Sequence, residues 1–329
     1  NKFQAGLTTS NGNTLNSLDT LDGGAGIDTL NASIATSVTP GSIKNIENLN
    51  LTFEVTAKTF NATNVTGVTT LTDVGSTFLG ITSNLGTVTT DLVVSDNAVG
   101  ATFTYQSAAV TGTADSLDLT FANATGGATT TITGAIETLN VKSSTSANSV
   151  RLESDATTLN ISGSADLTLA ALSTVLNLTT VVDASAATGA IDLAHDHTGT
   201  SAVTITGGTG NDTLGLTGGT TATDTVSGGA GDDTITFTTD LADADVINGG
   251  TGTDTLVGTS ANLKALTTAN NVSNIEVIQT SDLLTGTLTV ANVDSAIKSV
   301  TIAGAHTGVV TFGAGTNTLK MGAAIVTSG

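Results

Sequence analysis

Three copies of one glycine-rich nonapeptide carry the side chains with the clearest chemical potential in this sequence. They are GGTGNDTLG at 207–215, GGAGDDTIT at 228–236 and GGTGTDTLV at 249–257, each 21 residues after the previous one. Each copy keeps an aspartate at its sixth position, in a chain of which only 11% of the residues are charged. A carboxylate kept at one place in a repeated turn indicates a structural or cation-binding role for these loops.

The order of residues in the nonapeptide predicts a tight turn followed by a strand. Glycine allows a positive φ and lets carbonyl oxygens converge, and the apolar residue at position eight anchors the strand that follows. If equivalent turns stack at strand spacing, the position-six aspartates lie about 4.8 Å apart. Two bare carboxylates at that distance repel each other by about 0.9 kcal/mol even in water, so such a column requires a cation.

Calcium suits this column best, because it accepts several carboxylate and carbonyl oxygens in flexible geometry. Magnesium demands stricter octahedral geometry, and zinc prefers His or Cys ligands. The chain has no Cys, and His195, Asp196 and His197 form its only dense histidine site. His306 is far away in sequence, so we interpret 195–197 as a solvated turn rather than a zinc site.

The nonapeptide resembles the RTX calcium-binding repeat, well over residues 207–257 and partly over 19–31, where DTLDGGAGIDTL shows the pattern once. The resemblance implies that calcium is bound by the position-six aspartates and by carbonyl oxygens of the glycine loops before them. On this basis the implied metal positions are Asp22, Gly24, Gly26, Asp28, Gly208, Gly210, Asp212, Gly229, Gly231, Asp233, Gly250, Gly252 and Asp254.

The 21-residue spacing departs from an uninterrupted RTX array, in which two nonapeptides complete a coil in about 18 residues. Between the good copies lie GGTTATDTV at 218–226, whose aspartate comes one residue late, and TTDLADADV at 238–246, which has no glycine pair. We therefore expect loops opening at Gly207, Gly228 and Gly249 on one edge of a short roll. The opposite edge is expected to be lined by Gly219, Asp224, Asp240, Asp243 and Asp245.

Alternation of apolar and polar residues predicts an all-β fold, a parallel β-solenoid or β-roll of stacked short strands with RTX calcium-binding loops. Runs such as TLNVKSS at 138–144 and KSVTIAG at 298–304 alternate between turns rich in Gly, Ser, Asn and Asp. The core must be thin, because the chain has 8 Phe, 1 Tyr and no Trp. The best helix candidate is SANLKALTTANN at 260–271.

A second phrase also recurs, as NIENLNLT at 45–52, AIETLNVK at 135–142 and SNIEVIQT at 273–280. The first and last copies each follow a nonapeptide, so one compound unit occurs at least twice. These repeats predict four segments: an RTX-like segment at 1–31, a solenoid of degenerate strand repeats at 32–206, an RTX β-roll at 207–257 and a C-terminal β-repeat segment at 258–329.

The charge and the missing motifs exclude several classes of function. A net charge of −20, from 28 acidic and 8 basic residues, argues against nucleic acid and anionic lipid as partners. No apolar run approaches the roughly 18 residues of a membrane span, so we expect no membrane insertion. The chain has no GxSxG elbow, HExxH helix, phosphate-binding loop or nucleophilic cysteine. We therefore expect no enzyme activity in this segment.

The second half of the chain also resembles the calcium-dependent S-layer proteins of Caulobacter and similar bacteria. The resemblance rests on SDATTLNISGSADLTL at 154–169, VINGGTGTDTLVGT at 246–259 and NIEVIQ at 274–279, together with the GGTGNDTLGL block. It implies a structural protein that leaves the cell by type I secretion and self-assembles into a coat on the cell surface, with calcium driving folding and lattice assembly.

The implied partners are other copies of the chain, in a two-dimensional lattice or another homo-oligomer, and cell-surface polysaccharide bound through a region outside this segment. The alternatives are an RTX adhesin or biofilm matrix protein, and the RTX portion of a secreted exoenzyme. Because the sequence starts at Asn1 rather than Met, we expect a fragment whose targeting signals have been removed.

Overall fold

The computed structural model describes residues 1–6, 12–86, 91–170, 179–196, 200–217, 222–239, 241–267, 271–303, 307–315 and 317–321. The chain divides into two compact units, Asn1–Thr179 (unit 1) and Thr180–Gly329 (unit 2). Each unit is a parallel β-solenoid, which confirms the predicted fold class. The division into four segments is not tested by these bounds and stays a prediction.

Unit 1 is built from two parallel sheets whose strands alternate along the chain. Strands β1 to β17 are, in order, Lys2–Ala5, Thr20–Asp22, Thr29–Ile34, Ser42–Lys44, Asn48–Phe53, Lys58–Asn61, Val65–Thr66, Thr70–Val74, Gly80–Leu85, Asp91–Ser95, Ala101–Tyr105, Ser116–Ala122, Ala128–Thr133, Thr138–Ser144, Asn148–Glu153, Thr158–Gly163 and Leu167–Leu169. The first sheet contains β1, β3, β5, β8, β10, β12, β14 and β16, and the second contains β6, β9, β11, β13, β15 and β17. A small third sheet contains β2, β4 and β7, and single 3₁₀ turns lie at Ala62–Asn64 and Ser107–Ala109.

Unit 2 repeats this alternation and adds one helix. Strands β18 to β31 are Val181–Ala187, Ile191–Asp196, Thr204–Thr206, Thr213–Thr217, Thr225–Ala230, Thr234–Phe237, Val246–Thr251, Thr255–Gly258, Asn271–Ser273, Val277–Thr280, Thr287–Thr289, Ser299–Ile302, Val309–Thr311 and Thr318–Met321. The first sheet contains β18, β20, β22, β24 and β26, and the second contains β19, β21, β23, β25, β27, β29 and β31. Strands β28 and β30 pair separately, helix α1 spans Ser260–Ala265, and a 3₁₀ turn lies at Val290–Asn292.

The core of unit 2 is a column of aliphatic side chains that come from the same strand position in successive turns. In the second sheet the registered residues are Leu214, Ile235, Leu256, Ile278 and Val300, each at most 1% exposed. The first three occupy position eight of the nonapeptides. Full burial of such a side chain stabilises a fold by about 1.5–3 kcal/mol, so this column fixes where each turn begins its strand.

The helix predicted over 260–271 is shorter than expected. Thr259 caps α1, its Oγ1 accepting a hydrogen bond from the Asn262 N–H at 3.2 Å. The helix ends at Ala265, because Leu266 takes an extended conformation with ψ 138° and is buried at 2% exposure. Burying Leu266 in the solenoid therefore takes precedence over another helical turn; residues 268–270 lie outside the described residues.

Asp73 is a buried carboxylate in unit 1, on the face of β8 that it shares with the apolar residue Leu71. Asp73 is 2% exposed, and its Oδ1 accepts hydrogen bonds from Ser76 Oγ and, at 3.2 Å, from Asn97 Nδ2. Its Oδ2 is buried without a hydrogen-bond partner. Burial raises the pKa of Asp73 to about 7, although both hydrogen bonds act to lower it.

Replacing Asp73 by Asn should stabilise the protein at alkaline pH. A folded-state pKa above the ordinary 3.8 means that the contribution of Asp73 to stability is complete below the ordinary value and is lost as the pH rises through about 7. In excess calcium, the thermal midpoint of Asp73→Asn should exceed that of the wild type at pH 8.5 and approach it at pH 5. An equal difference between the two proteins at both pH values would contradict a raised pKa.

Candidate metal centre

The first candidate centre lies at the edge of unit 2 where strands of the first sheet lead into the second. Asp212, Asp233 and Asp254 immediately precede β21, β23 and β25. These three strands pair in register, with the threonine after each aspartate aligned to the next. The aspartates therefore form one column, and we call this side of the solenoid the first edge.

Main-chain hydrogen bonds hold the carboxylates of this column. The Asp212 N–H donates to Asp233 Oδ1 at 2.8 Å, and the Asp233 N–H donates to Asp254 Oδ1 at 2.9 Å. At the start of the column Asp212 accepts from the Ile191 N–H at 2.8 Å and from the Gly208 N–H at 2.6 Å. One oxygen of each carboxylate is thus fixed by the preceding turn.

The second oxygens of two of these aspartates have no partner. Asp233 and Asp254 are each 1% exposed, and the Oδ2 atom of each is buried without a hydrogen bond. A buried charged oxygen without a partner costs more free energy than any ordinary surface charge. These two atoms fit a cation that the aspartate column would bind.

The titration behaviour of the column agrees with its burial. Burial, together with a smaller contribution from the neighbouring carboxylates of Asp212, Asp254 and Asp232, raises the pKa of Asp233 to about 6. Burial also raises the pKa of Asp212 and of Asp254. The ionised column is therefore unfavourable on its own at neutral pH, which follows from placing like charges together away from water.

Because the first glycine of each nonapeptide has no side chain, a main-chain carbonyl oxygen and a carboxylate oxygen can both lie close to its Cα atom. A Cβ atom on Gly228 would lie 2.3 Å from the Gly249 carbonyl oxygen and 2.4 Å from Asp233 Oδ2. One turn earlier, a Cβ on Gly207 would lie 2.0 Å from the Gly228 carbonyl oxygen and 2.6 Å from Asp212 Oδ2. A main-chain carbonyl and a carboxylate thus meet beside each first glycine, which is a donor set that calcium accepts.

The glycines at positions two and four shape the turn, and their carbonyl oxygens also face the next turn: a Cβ atom on Gly229 would lie 2.2 Å from the Gly208 carbonyl oxygen. Positive φ angles of 87° to 144° occur at Gly24, Gly26, Gly229, Gly231, Gly250 and Gly252, whereas Gly208 and Gly210 have no positive φ. Sequence reasoning selected these two positions as carbonyl donors and left out position one. Its signal was present, because every copy of the nonapeptide begins with glycine.

A second, shorter column lies on the opposite edge of unit 2. Asp224 and Asp245 immediately precede β22 and β24 and are each 1% exposed. The Asp224 N–H donates to Asp245 Oδ1 at 3.0 Å, and Asp224 Oδ1 accepts from the Val203 N–H at 2.8 Å. The same hydrogen-bond ladder therefore repeats on both edges, and Asp224 and Asp245 lie on the opposite edge, where the interrupted spacing predicted them.

Other residues predicted for the second edge are placed differently. Asp243 is half-buried, and its carboxylate accepts hydrogen bonds from the Thr267 Oγ1 at 2.6 Å and the Thr267 N–H at 2.8 Å, which lower its pKa. Asp243 thus fixes a neighbouring loop rather than joining the column. Gly219 and Asp240 lie outside the described residues.

The two aspartates predicted as site residues in unit 1 have different surroundings. Asp28 is completely buried, accepts a hydrogen bond from the main-chain nitrogen of Asn1 and has an Oδ2 without a partner. Asp22 is exposed and pairs with Lys44, with Asp22 Oδ2 and Lys44 Nζ 3.1 Å apart. Asp22 also accepts from Asn45 Nδ2 at 2.8 Å. Asp28 therefore has the surroundings of the unit 2 aspartates, and Asp22 does not.

The sequence analysis places His195 in a solvated turn, but the structure places it in a buried strand. His195 is completely buried in β19, because residues of a strand alternate between core and surface and His195 shares the inward face with Leu193. That interpretation was wrong for His195, and His197 and His306 lie outside the described residues.

In the part of the chain that the structure describes, no group of three or more His, Cys, Asp or Glu side chains could hold a metal. A cation on the first edge must therefore also take main-chain carbonyl oxygens, as calcium does and zinc does not.

Comparison with known sequences agrees with this donor set. The sequence family described as the RTX calcium-binding nonapeptide repeat matches the chain in four copies, at residues 16–33, 197–220, 218–236 and 239–262. The chain contains calcium-binding RTX repeats. The cation of these repeats is Ca²⁺, and the matched ranges include the Asp28 loop and both edges of unit 2.

RTX repeats are typical of secreted proteins, and solenoid domains built from them are typically structural. No curated protein and no solved structure matches the chain. Within the described residues, no helix has the length and apolarity needed to span a lipid bilayer.

Proposed function

We propose that this protein is a structural component of a calcium-dependent bacterial surface layer and has no enzyme activity in this segment. The RTX repeats would act as a folding switch, and the solenoid they stabilise would be the building block of the layer. The observation that carries the proposal is the pair of buried, unpartnered oxygens on Asp233 and Asp254, each aligned with a neighbouring turn. Without a cation, such a site raises the free energy of the folded state; with a bound cation, it lowers that free energy.

The folding switch depends on the difference in calcium concentration between the inside and the outside of the cell. In a compartment poor in calcium, repulsion within the aspartate column and the entropy of the glycine loops oppose folding of residues 207–257, which we call the RTX block. Outside the cell, sites of this class bind calcium with dissociation constants on the order of 0.1–1 mM. Binding free energy then becomes folding free energy, so the chain would leave the cell unfolded and fold on arrival.

Exposed carboxylates offer a means of joining copies of the chain. Asp91 and Asp118 are both exposed, and the pairing of Leu92 with Leu119 places them side by side on the outer face of the first sheet of unit 1. Few basic residues are available to neutralise such surfaces, because the chain has 8 against 28 acidic ones. Calcium between two such faces would connect neighbouring subunits, and cell-surface polysaccharide would be bound by a region outside this segment.

Electron microscopy after calcium addition tests this function. We expect purified protein to form ordered two-dimensional sheets at millimolar calcium, and we expect the double substitution Asp91→Asn and Asp118→Asn to reduce sheet formation. Circular dichroism of that variant should match the wild type, because both side chains lie outside the core. Isolated rods in place of sheets would contradict the surface-layer function and favour an adhesin or biofilm matrix protein.

A further inference from the structure

The Asn-Ile-Glu turns at 45–47 and 274–276 share one conformation. Asn45 and Asn274 have positive φ angles of 51° and 54°, an unusual conformation for a residue other than glycine. Ile46 and Ile275 are completely buried. Each turn comes one coil after a nonapeptide, and neither turn is part of the nonapeptide pattern itself.

Strand register places the second turn directly over the last nonapeptide of unit 2. Strands β24 and β26 pair up to Asn248 and Ser273, so the next residues, Gly249 and Asn274, face each other. Strands β25 and β27 pair from Thr255 and Val277 onward, so the residues before them, Asp254 and Glu276, face each other. Asn274 and Glu276 therefore occupy the places of nonapeptide positions one and six.

Asn274 supplies the same carbonyl oxygen as a first glycine. A Cβ atom on Gly249 would lie 1.9 Å from the Asn274 carbonyl oxygen and 2.7 Å from Asp254 Oδ2. In the preceding nonapeptide, the Gly249 carbonyl oxygen and Asp233 Oδ2 lie close to the equivalent point beside Gly228. The cradle of carbonyl and carboxylate thus continues beyond the last nonapeptide.

Glu276 replaces the position-six aspartate with a longer side chain. The Asp254 N–H donates to Glu276 Oε2 at 2.9 Å, as the Asp233 N–H donates to Asp254 Oδ1 within the block. The turn from Asn274 to Glu276 is three residues shorter than the loop from Gly249 to Asp254. The extra methylene of glutamate lets the carboxylate reach the column from the shorter turn.

The same arrangement occurs independently in unit 1. A Cβ atom on Gly23 would lie 1.8 Å from the Asn45 carbonyl oxygen. The Asp28 N–H donates to Glu47 Oε2 at 2.8 Å, and Asp28 Oδ2 is buried without a partner, like Asp254 Oδ2. Two turns of identical sequence therefore face two aspartates that each lack a partner for one oxygen.

We propose that each Asn-Ile-Glu turn closes an additional calcium site at the end of a nonapeptide block. In unit 2 the site takes the Asp254 and Glu276 carboxylates and the Asn274 carbonyl oxygen, and in unit 1 it takes Asp28, Glu47 and Asn45 in the same roles. The inference rests on calcium binding by the RTX repeats. It adds one site to each block beyond those between consecutive nonapeptides.

Glu276→Gln tests this inference with little structural disturbance. The glutamine oxygen still accepts the Asp254 N–H, but the charge that a calcium ion requires is lost. Glu137→Gln is the matched control, because Glu137 Oε2 accepts the Asp115 N–H at 2.8 Å while the sequence before Asp115, VTGTA, lacks the glycine pattern. Isothermal titration with Ca²⁺ should show one site lost, or weakened by about tenfold or more, in Glu276→Gln, and an unchanged isotherm in Glu137→Gln.

Glu47→Gln provides a second, independent variant and should also lose one site. Thermal unfolding followed by circular dichroism in excess calcium would show that each variant is folded. Calcium stoichiometry and affinity equal to those of the wild type in both Glu276→Gln and Glu47→Gln would overturn the inference and leave the RTX function standing. An equal loss in Glu137→Gln would also overturn it, because Glu137 follows no nonapeptide and the effect would then not depend on the carbonyl and carboxylate beside Gly249. A wild-type chain that binds no calcium would overturn both the inference and the proposed function.

Discussion

Chelation of calcium should remove most of the β-sheet signal of the RTX block at 207–257 and leave a substantially unfolded segment. Without a cation, the buried oxygens of Asp233 and Asp254 have no partner, and burial holds the pKa of Asp233 at about 6. At a calcium concentration one hundred times the dissociation constant, each site stabilises the folded state by about 2.7 kcal/mol. Far-ultraviolet circular dichroism in EDTA, with calcium then added back, measures the change.

Acid should partly replace calcium in this experiment. The folded-state pKa of Asp233 lies above its ordinary value of 3.8. Its contribution to stability is therefore complete below the ordinary value and is lost as the pH rises through about 6. In EDTA the block should hold more structure at pH 5 than at pH 7.5, while magnesium at the calcium concentration should restore little at pH 7.5. A fully β-rich spectrum in EDTA at pH 7.5 would contradict the folding switch.

Gly228→Ala should be among the most destabilising single substitutions in unit 2. Its methyl group would lie 2.3 Å from the Gly249 carbonyl oxygen and 2.4 Å from Asp233 Oδ2, so two successive turns would have to separate. We expect a loss of about 3 kcal/mol in the free energy of unfolding in excess calcium and a higher calcium midpoint for folding. Denaturant unfolding and calcium titration measure the two effects.

Gly313→Ala is the matched control for that substitution. It makes the same chemical change in the same unit, but its Cβ atom meets no heavy atom within 4 Å and its φ is not positive. Its free energy of unfolding should lie within about 0.5 kcal/mol of the wild type. Equal effects of the two substitutions would mean that glycine entropy, rather than the convergence of oxygens beside Gly228, explains the loss.

Much of the fold and the first edge could be predicted from the sequence. Equal spacing of Asp212, Asp233 and Asp254 predicts one column because parallel strands in register repeat every position one coil later. The aliphatic residue two positions after each aspartate determines where the strand begins. Both signals are local, and tertiary contacts in the structure agree with them.

Side chains whose partners are distant in sequence could not be predicted in the same way. Asp243 belongs to an acidic run, but its carboxylate binds Thr267, 24 residues further along. His195 is buried because of the phase of β19, which two histidines two residues apart cannot reveal. Glu276 escaped notice as a counterpart of Asp254 because a shortened turn and a longer side chain compensate each other, and spacing alone shows neither.

The most direct measurement is a crystal structure of the protein grown in calcium, with the anomalous signal of the metal used to locate it. We predict peaks beside Asp233 Oδ2 and Asp254 Oδ2 on the first edge of unit 2, each also within ligand distance of a main-chain carbonyl oxygen from the neighbouring turn. A well-ordered structure at millimolar calcium with no metal at either oxygen would contradict the assignment of this aspartate column as the calcium centre.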